Sequence, residues 1–149
     1  MHPFDIKAAL LAKHAQHVVL IHFPIALFIA GVAFDFMAQW TKRATYAVAA
    51  YFNFTFAALS TIPVVITGIA AWRWQLEGQR LKGILLQHLV LGCASSALIW
   101  IVYAIHRRVR QKPVEAISGV RIAIELLGVL LVSLTGHLGG FLSGVNGPG

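Results

Sequence analysis

Charge is what this chain has least of. Only 11% of its 149 residues are Asp, Glu, Lys or Arg, against about 25% in ordinary soluble domains. Acids are scarcest, five in all against twelve Lys and Arg. A single cysteine, Cys93, excludes a disulfide framework within the chain and leaves the redox compartment unread. Cys93 sits inside an apolar stretch, where a packed, buried thiol is expected. Internal repeats and low-complexity segments are lacking too.

What remains is apolar. Hydrophobic residues make up 58% of the chain and the mean hydropathy is +0.77. A soluble fold of this length has too little interior to hide that much apolar surface. A membrane span takes about 20 apolar residues, and four such stretches with short connectors use nearly the whole sequence. The expected fold is therefore all-α, a single transmembrane domain over residues 1–149 built as an integral membrane four-helix bundle. Helices are expected at about 17–40, 44–72, 83–106 and 118–142, and Pro63 should kink the second. Residues 3–16 mix Phe4, Ile6, Leu10 and Leu11 with Asp5, Lys7 and Lys13, which suits a short N-terminal interfacial helix. The stretch from Val18 to Trp40 is longer than a signal-peptide core and has no clear cleavage site, so it should stay as a span.

The formal charge of +7 raises nucleic acid as a partner, but the basic residues cluster in connectors and form no basic face. They act instead as topology signals. Lys42, Arg43, Arg107, Arg108, Arg110, Lys112 and Arg121 fall on one side, and Lys7, Lys13, Arg73, Arg80 and Lys82 on the other. The positive-inside rule then puts the first and third connectors in the cytoplasm, and both termini face outward.

Ionisable residues within spans are costly and tend to mark function. His22, His88 and His137 lie on three different helices, each roughly 7–9 Å below the outer boundary at about 1.5 Å rise per residue. Gly92 beside His88, and Gly136, Gly139 and Gly140 around His137, leave room for a flat ligand, although close helix packing explains small residues equally well. Three imidazoles in one layer favour a bound metal or metallocofactor over hydrogen-bonding histidines. His17 points about 140° away from His22 on an ideal helix; it is either interfacial or part of a further or supporting site. His2 and His106 are assigned to the surface and to the basic cluster ending helix three. A weaker polar layer pairs Asp35 with Glu125, which Arg121 precedes by one turn. An internal ion pair is the plain explanation, and a proton path from the cytoplasm is the functional one.

The run His14-Ala15-Gln16-His17-Val18-Val19-Leu20-Ile21-His22-Phe23-Pro24-Ile25-Ala26-Leu27 resembles the opening of a bacterial membrane family known as domain of unknown function 2231. Thr67-Gly68, His88 and Gly136-His137-Leu138-Gly139-Gly140 resemble its later landmarks, so the similarity covers most of the chain. The resemblance implies a four-helix membrane protein, and related domains occur joined to c-type cytochrome modules, which implies electron transfer. Ala71-Trp72 departs from the pattern, where an acidic residue is expected before the tryptophan.

These readings converge on a b-type cytochrome that carries electrons near the periplasmic face. One haem b, or two, would be held by His22, His88 and His137 with His17 in support. Filling both axial positions with imidazole suits outer-sphere electron transfer, because no open iron site remains for a substrate. In simple up-down order helices one and three are diagonal, which favours His22 with His88 and leaves His137 as a neighbouring donor or a second ligand. The expected partners are the lipid bilayer and a c-type cytochrome, periplasmic or membrane-bound, or a larger redox complex. The alternative is a noncatalytic accessory or assembly subunit of a respiratory or photosynthetic complex. A channel or metal-ion transporter ranks below both, because helix two offers only neutral polar residues.

Overall fold

The computed structural model describes residues 15–74, 76–110 and 119–144. The expected interfacial helix at 3–16 falls almost wholly outside the described residues. Among them the chain forms five helices and no strand: α1 Ala15–Leu20, α2 His22–Thr41, α3 Ala44–Trp74, α4 Gly83–Val109 and α5 Gly119–Leu142. α1 and α2 make one span. The Ile21 amide still donates to the His17 carbonyl at 3.1 Å, so the helical course carries through the break. The cause lies three residues on: Pro24 has no N–H to offer Leu20, and its ring crowds that carbonyl.

Four helical stretches are long and apolar enough to cross a membrane: Gln16–Thr41, Ala44–Trp74, Gly83–Val109 and Gly119–Leu142. Their ends agree with the sequence reading to within three residues. The expected kink at Pro63 does not interrupt α3, which is helical throughout. The turn at Lys42 and Arg43 is as tight as expected, because Lys42 takes a left-handed conformation with φ 57° that reverses the chain at once.

α2 packs chiefly on α3, α4 on α5, and α3 on α4, with a lighter α2–α5 seam closing the ring. α2 and α4 are thus diagonal. The centre is a dry cluster of Phe28 and Val32 from α2, Ala50, Phe54, Ala57 and Ala58 from α3, Ile99 and Val102 from α4, and Val132 from α5. Two glycines make the close approach possible. A Cβ on Gly128 would stand 2.5 Å from the Phe28 ring, and one on Gly31 2.7 Å from the Phe54 ring. Small residues of this kind let membrane helices gain van der Waals contact where the lipid supplies no hydrophobic drive.

The outer surface is apolar as well. Ile66 is 62% exposed and Val120 69%, a distribution suited to lipid and not to water. Cys93 is exposed on this surface, contrary to the expectation of a packed thiol, because its neighbours Gly92 and Ser95 take the inward face of α4.

Candidate functional site

Polar side chains gather at the two ends of the bundle, with the apolar core between them. His88 at one end and His106 at the other are eighteen residues apart on α4, about 27 Å of helix rise. That nearly equals the roughly 30 Å hydrocarbon thickness of a bilayer.

At the first end, His17 on α1 and His88 on α4 lie next to one another. Their ring centres are 6.4 Å apart and their planes cross at 89°. Each ring is held by a helix that carries neither histidine. His17 Nδ1 lies 3.2 Å from Thr67 Oγ1 on α3, and His88 Nδ1 lies 3.1 Å from the Thr135 carbonyl on α5. The Thr67 hydroxyl spends its proton on the Pro63 carbonyl at 2.8 Å, so its oxygen accepts from His17. A carbonyl can only accept, so His88 Nδ1 donates as well. In the neutral state both imidazoles therefore carry their proton on Nδ1 and a lone pair on Nε2. A metal-binding histidine is commonly held in this way, one nitrogen donating to the protein and the other turned to the metal.

Further contacts stiffen the pair. Thr135 Oγ1 donates to the Leu131 carbonyl at 2.8 Å and receives the Ser95 hydroxyl of α4 at 2.9 Å. Glycines back both rings. A Cβ on Gly68 would stand 2.9 Å from His17 Cε1, and one on Gly139 3.3 Å from His88 Cε1.

The other sequence candidates lie around this pair. His22 is exposed on the outer surface of the span. His137 is exposed too and meets Phe141 edge to face at 5.1 Å. The structure thus brings His88 together with His17, and it does not bring His22 beside His88 as the diagonal argument expects. Gly136 packs on Ile25, with a Cβ there 3.3 Å from Cδ1, and a Cβ on Gly92 would be 3.8 Å from Thr135. Gly140 is half-buried, and its carbonyl accepts from the Ser143 hydroxyl at 3.1 Å. The sequence reading missed Thr67 and Thr135 as histidine partners. The available signal was that each directly precedes a glycine, Gly68 and Gly136.

The opposite end holds a second cluster. His106 was assigned to the basic surface, yet it is 4% exposed, because α4 runs a turn further than expected and keeps the ring inside. Its Nε2 donates to Glu125 Oε1 at 2.9 Å, and the Phe54 ring lies 4.4 Å away, centre to centre. Arg121 Nε donates to the same Glu125 oxygen at 3.2 Å, while Arg121 Nη2 donates to Asp35 Oδ1. The internal ion pair expected of Arg121 and Glu125 therefore forms and takes in Asp35 and His106.

Comparison with known proteins agrees with this architecture. Residues 13–147 match the family described as "Predicted membrane protein (DUF2231)". The chain belongs to that family. No curated protein and no solved structure matches the chain. Membership supports a multi-pass membrane protein and carries no activity with it.

Proposed function

We propose that this membrane protein is a small b-type cytochrome in which His17 and His88 are the axial ligands of one haem. The observation that carries the reading is the perpendicular imidazole pair, 6.4 Å between centres, with both Nδ1 atoms tied to Thr67 and Thr135. Two metal–imidazole bonds of about 2.0–2.1 Å, each with roughly 1 Å more from nitrogen to ring centre, separate opposed rings by about 6 Å. Two imidazoles are too few for a bare transition ion, which takes four or more ligands. They would suit a haem, whose macrocycle would supply the remaining ligands to the iron.

Bound haem would supply one-electron iron chemistry. The chain's part is to bind, orient and shield. Thr67 and Thr135 fix the tautomer and ring direction of the two ligands, and their hydrogen bonds raise ligand basicity and so tune the potential. Gly68 and Gly139 let the imidazoles lie close against α3 and α5. Ser95 holds Thr135 in place.

This reading places the site near the periplasmic face of a bacterial inner membrane, with a c-type cytochrome or a larger redox complex as electron partner. Oxidised and reduced optical spectra of protein made with haem supplied provide the test. A low-spin haem spectrum is expected in the native chain and in His22→Ala and His137→Ala, and its loss in His17→Ala and His88→Ala. Native protein that folds without haem would leave the accessory-subunit reading in its place. Loss of haem in His22→Ala or His137→Ala alone would move the site to the outer surface.

A further inference from the structure

We propose that Asp35, His106, Arg121 and Glu125 form a proton-binding site, which takes up and releases one proton at the end of the bundle opposite the histidine pair. Asp35 and Glu125 are each 1% exposed. Ligand atoms of these two carboxyls and of His106 all lie within 4.8 Å of one another. Arg121 lies across both carboxyls, reaching one oxygen of each.

The hydrogen bonds do not close. Glu125 Oε1 receives two donors, from His106 and Arg121, whereas Glu125 Oε2 and Asp35 Oδ2 are buried with no partner among the described residues. Gln39, one turn beyond Asp35 on α2, has an unpartnered buried Oε1 as well. Every orphan atom is an acceptor. An unsatisfied buried acceptor is costly, and a buried anion in excess costs more. Among the described residues two carboxylates and one guanidinium leave a negative charge over, and one bound proton removes it, so that the orphan oxygens no longer belong to an anion in excess.

Its seat is the His106–Glu125 contact, where a short step from Nε2 to Oε1 carries a proton from imidazolium to carboxylate and leaves neutral imidazole beside a carboxylic acid. Each element packed on this contact contributes a known group. α2 presents Asp35, α3 the uncharged Phe54 ring, α4 His106 itself, and α5 Arg121 and Glu125. A metal ion is the less suitable occupant. Bound to the orphan oxygens, it would lie beside the fixed guanidinium charge in a medium of low dielectric. Access runs past Arg121, whose side chain is 16% exposed, against 5% for His106, 2% for Asp35 and 1% for Glu125.

The experiment is a pH titration by nuclear magnetic resonance of the whole protein in lipid nanodiscs, with 15N in histidine rings and 13C in side-chain carboxyls. The chain has only seven histidines and five acids, so signals can be assigned by single substitution. Between about pH 4 and 10, the His106 and Glu125 signals should move together with one midpoint and the uptake of one proton. Asp35→Asn should weaken that uptake at least tenfold, because it removes the facing negative charge. Signals of His106 and Glu125 that stay fixed across the range would overturn the proposal, as would a stoichiometric divalent metal whose removal by chelation shifts them. The wild-type titration decides the matter even if a variant fails to fold.

Discussion

His17 and His88 come from the first and third spans, and each presents Nδ1 to a threonine of a span that carries neither histidine. The two bonds differ in what mutation can reach. Thr135 offers its backbone carbonyl, but Thr67 offers a hydroxyl, so Thr67→Val deletes the acceptor while keeping the shape. Outer-shell partners of this kind are worth about 10–100-fold in metal affinity. Thr67→Val should weaken haem binding by that order and shift the midpoint potential, and Thr67→Ser should restore both. Haem titration of the two variants checks this, and equal behaviour of Val and Ser would remove Thr67 from the site.

The glycines behind the rings give a graded series. A Cβ at position 68 meets His17 at 2.9 Å, at position 139 it meets His88 at 3.3 Å, and at position 92 it meets only Thr135 at 3.8 Å. Gly68→Ala should displace His17 and abolish most haem binding, Gly139→Ala should lower it partly, and Gly92→Ala should leave it intact. Pigment content per protein reads the series. A Gly92→Ala defect as large as that of Gly68→Ala would show that packing, not ligand position, sets the content.

The spans were legible in the sequence because hydropathy and connector charge are local properties, and the loop at Lys42 and Arg43 was legible for the same reason. Which of the histidines lie next to one another was not, because it depends on helix rotation. His22 and His17 differ by about 140° around one helix, and the Ile21 break together with the packing of α1 on α3 decides that His17 points inward. His106 was misassigned because basic neighbours disguise a buried face: Arg107 and Arg108 are exposed while His106 is enclosed between Phe54 and Glu125. Asp35 and Glu125 were recognised from burial and charge alone, but their convergence with His106 needed the tertiary structure.

Gly128 fixes how closely α5 approaches α2 and α4. A Cβ there would stand 2.5 Å from Phe28 Cζ and 2.6 Å from Leu98 Cδ2. Overpacking a tight core costs about 1–3 kcal/mol, so Gly128→Ala should lower stability by that amount in a reversible unfolding assay in detergent. Phe28→Leu in the same chain should recover part of the loss by removing the ring edge, and simple addition of the two defects would show that the clash lies elsewhere.

The expected sidedness rests on the seven basic residues that the sequence puts in or beside the first and third connectors. Lys42 and Glu77 are exposed in connectors on opposite sides of the bundle. In a Cys93→Ser background, needed because the native thiol is exposed on the lipid-facing surface, Glu77→Cys should react with an impermeant thiol reagent added outside intact cells, and Lys42→Cys should react only after lysis. The reverse pattern would put the histidine pair at the cytoplasmic face.

Arg121 is the residue on which the second cluster's stability depends most. It donates to Asp35 and to Glu125, so its removal leaves two buried carboxyls with His106 as their remaining donor among the described residues. Breaking a buried ionic contact by deleting one partner costs about 3–5 kcal/mol, whereas replacing the whole set with apolar residues is often neutral or stabilising. Arg121→Met should therefore lower unfolding stability by about that amount. Arg121→Lys should fall between, since one ammonium cannot reproduce the fork that spans both carboxyls. The triple variant Asp35→Leu, Arg121→Met and Glu125→Leu should regain most of the loss while His106 no longer takes up a proton together with a carboxyl. A triple variant as unstable as Arg121→Met alone would mean that the cluster's shape, and not its unpaired charge, governs this end of the bundle.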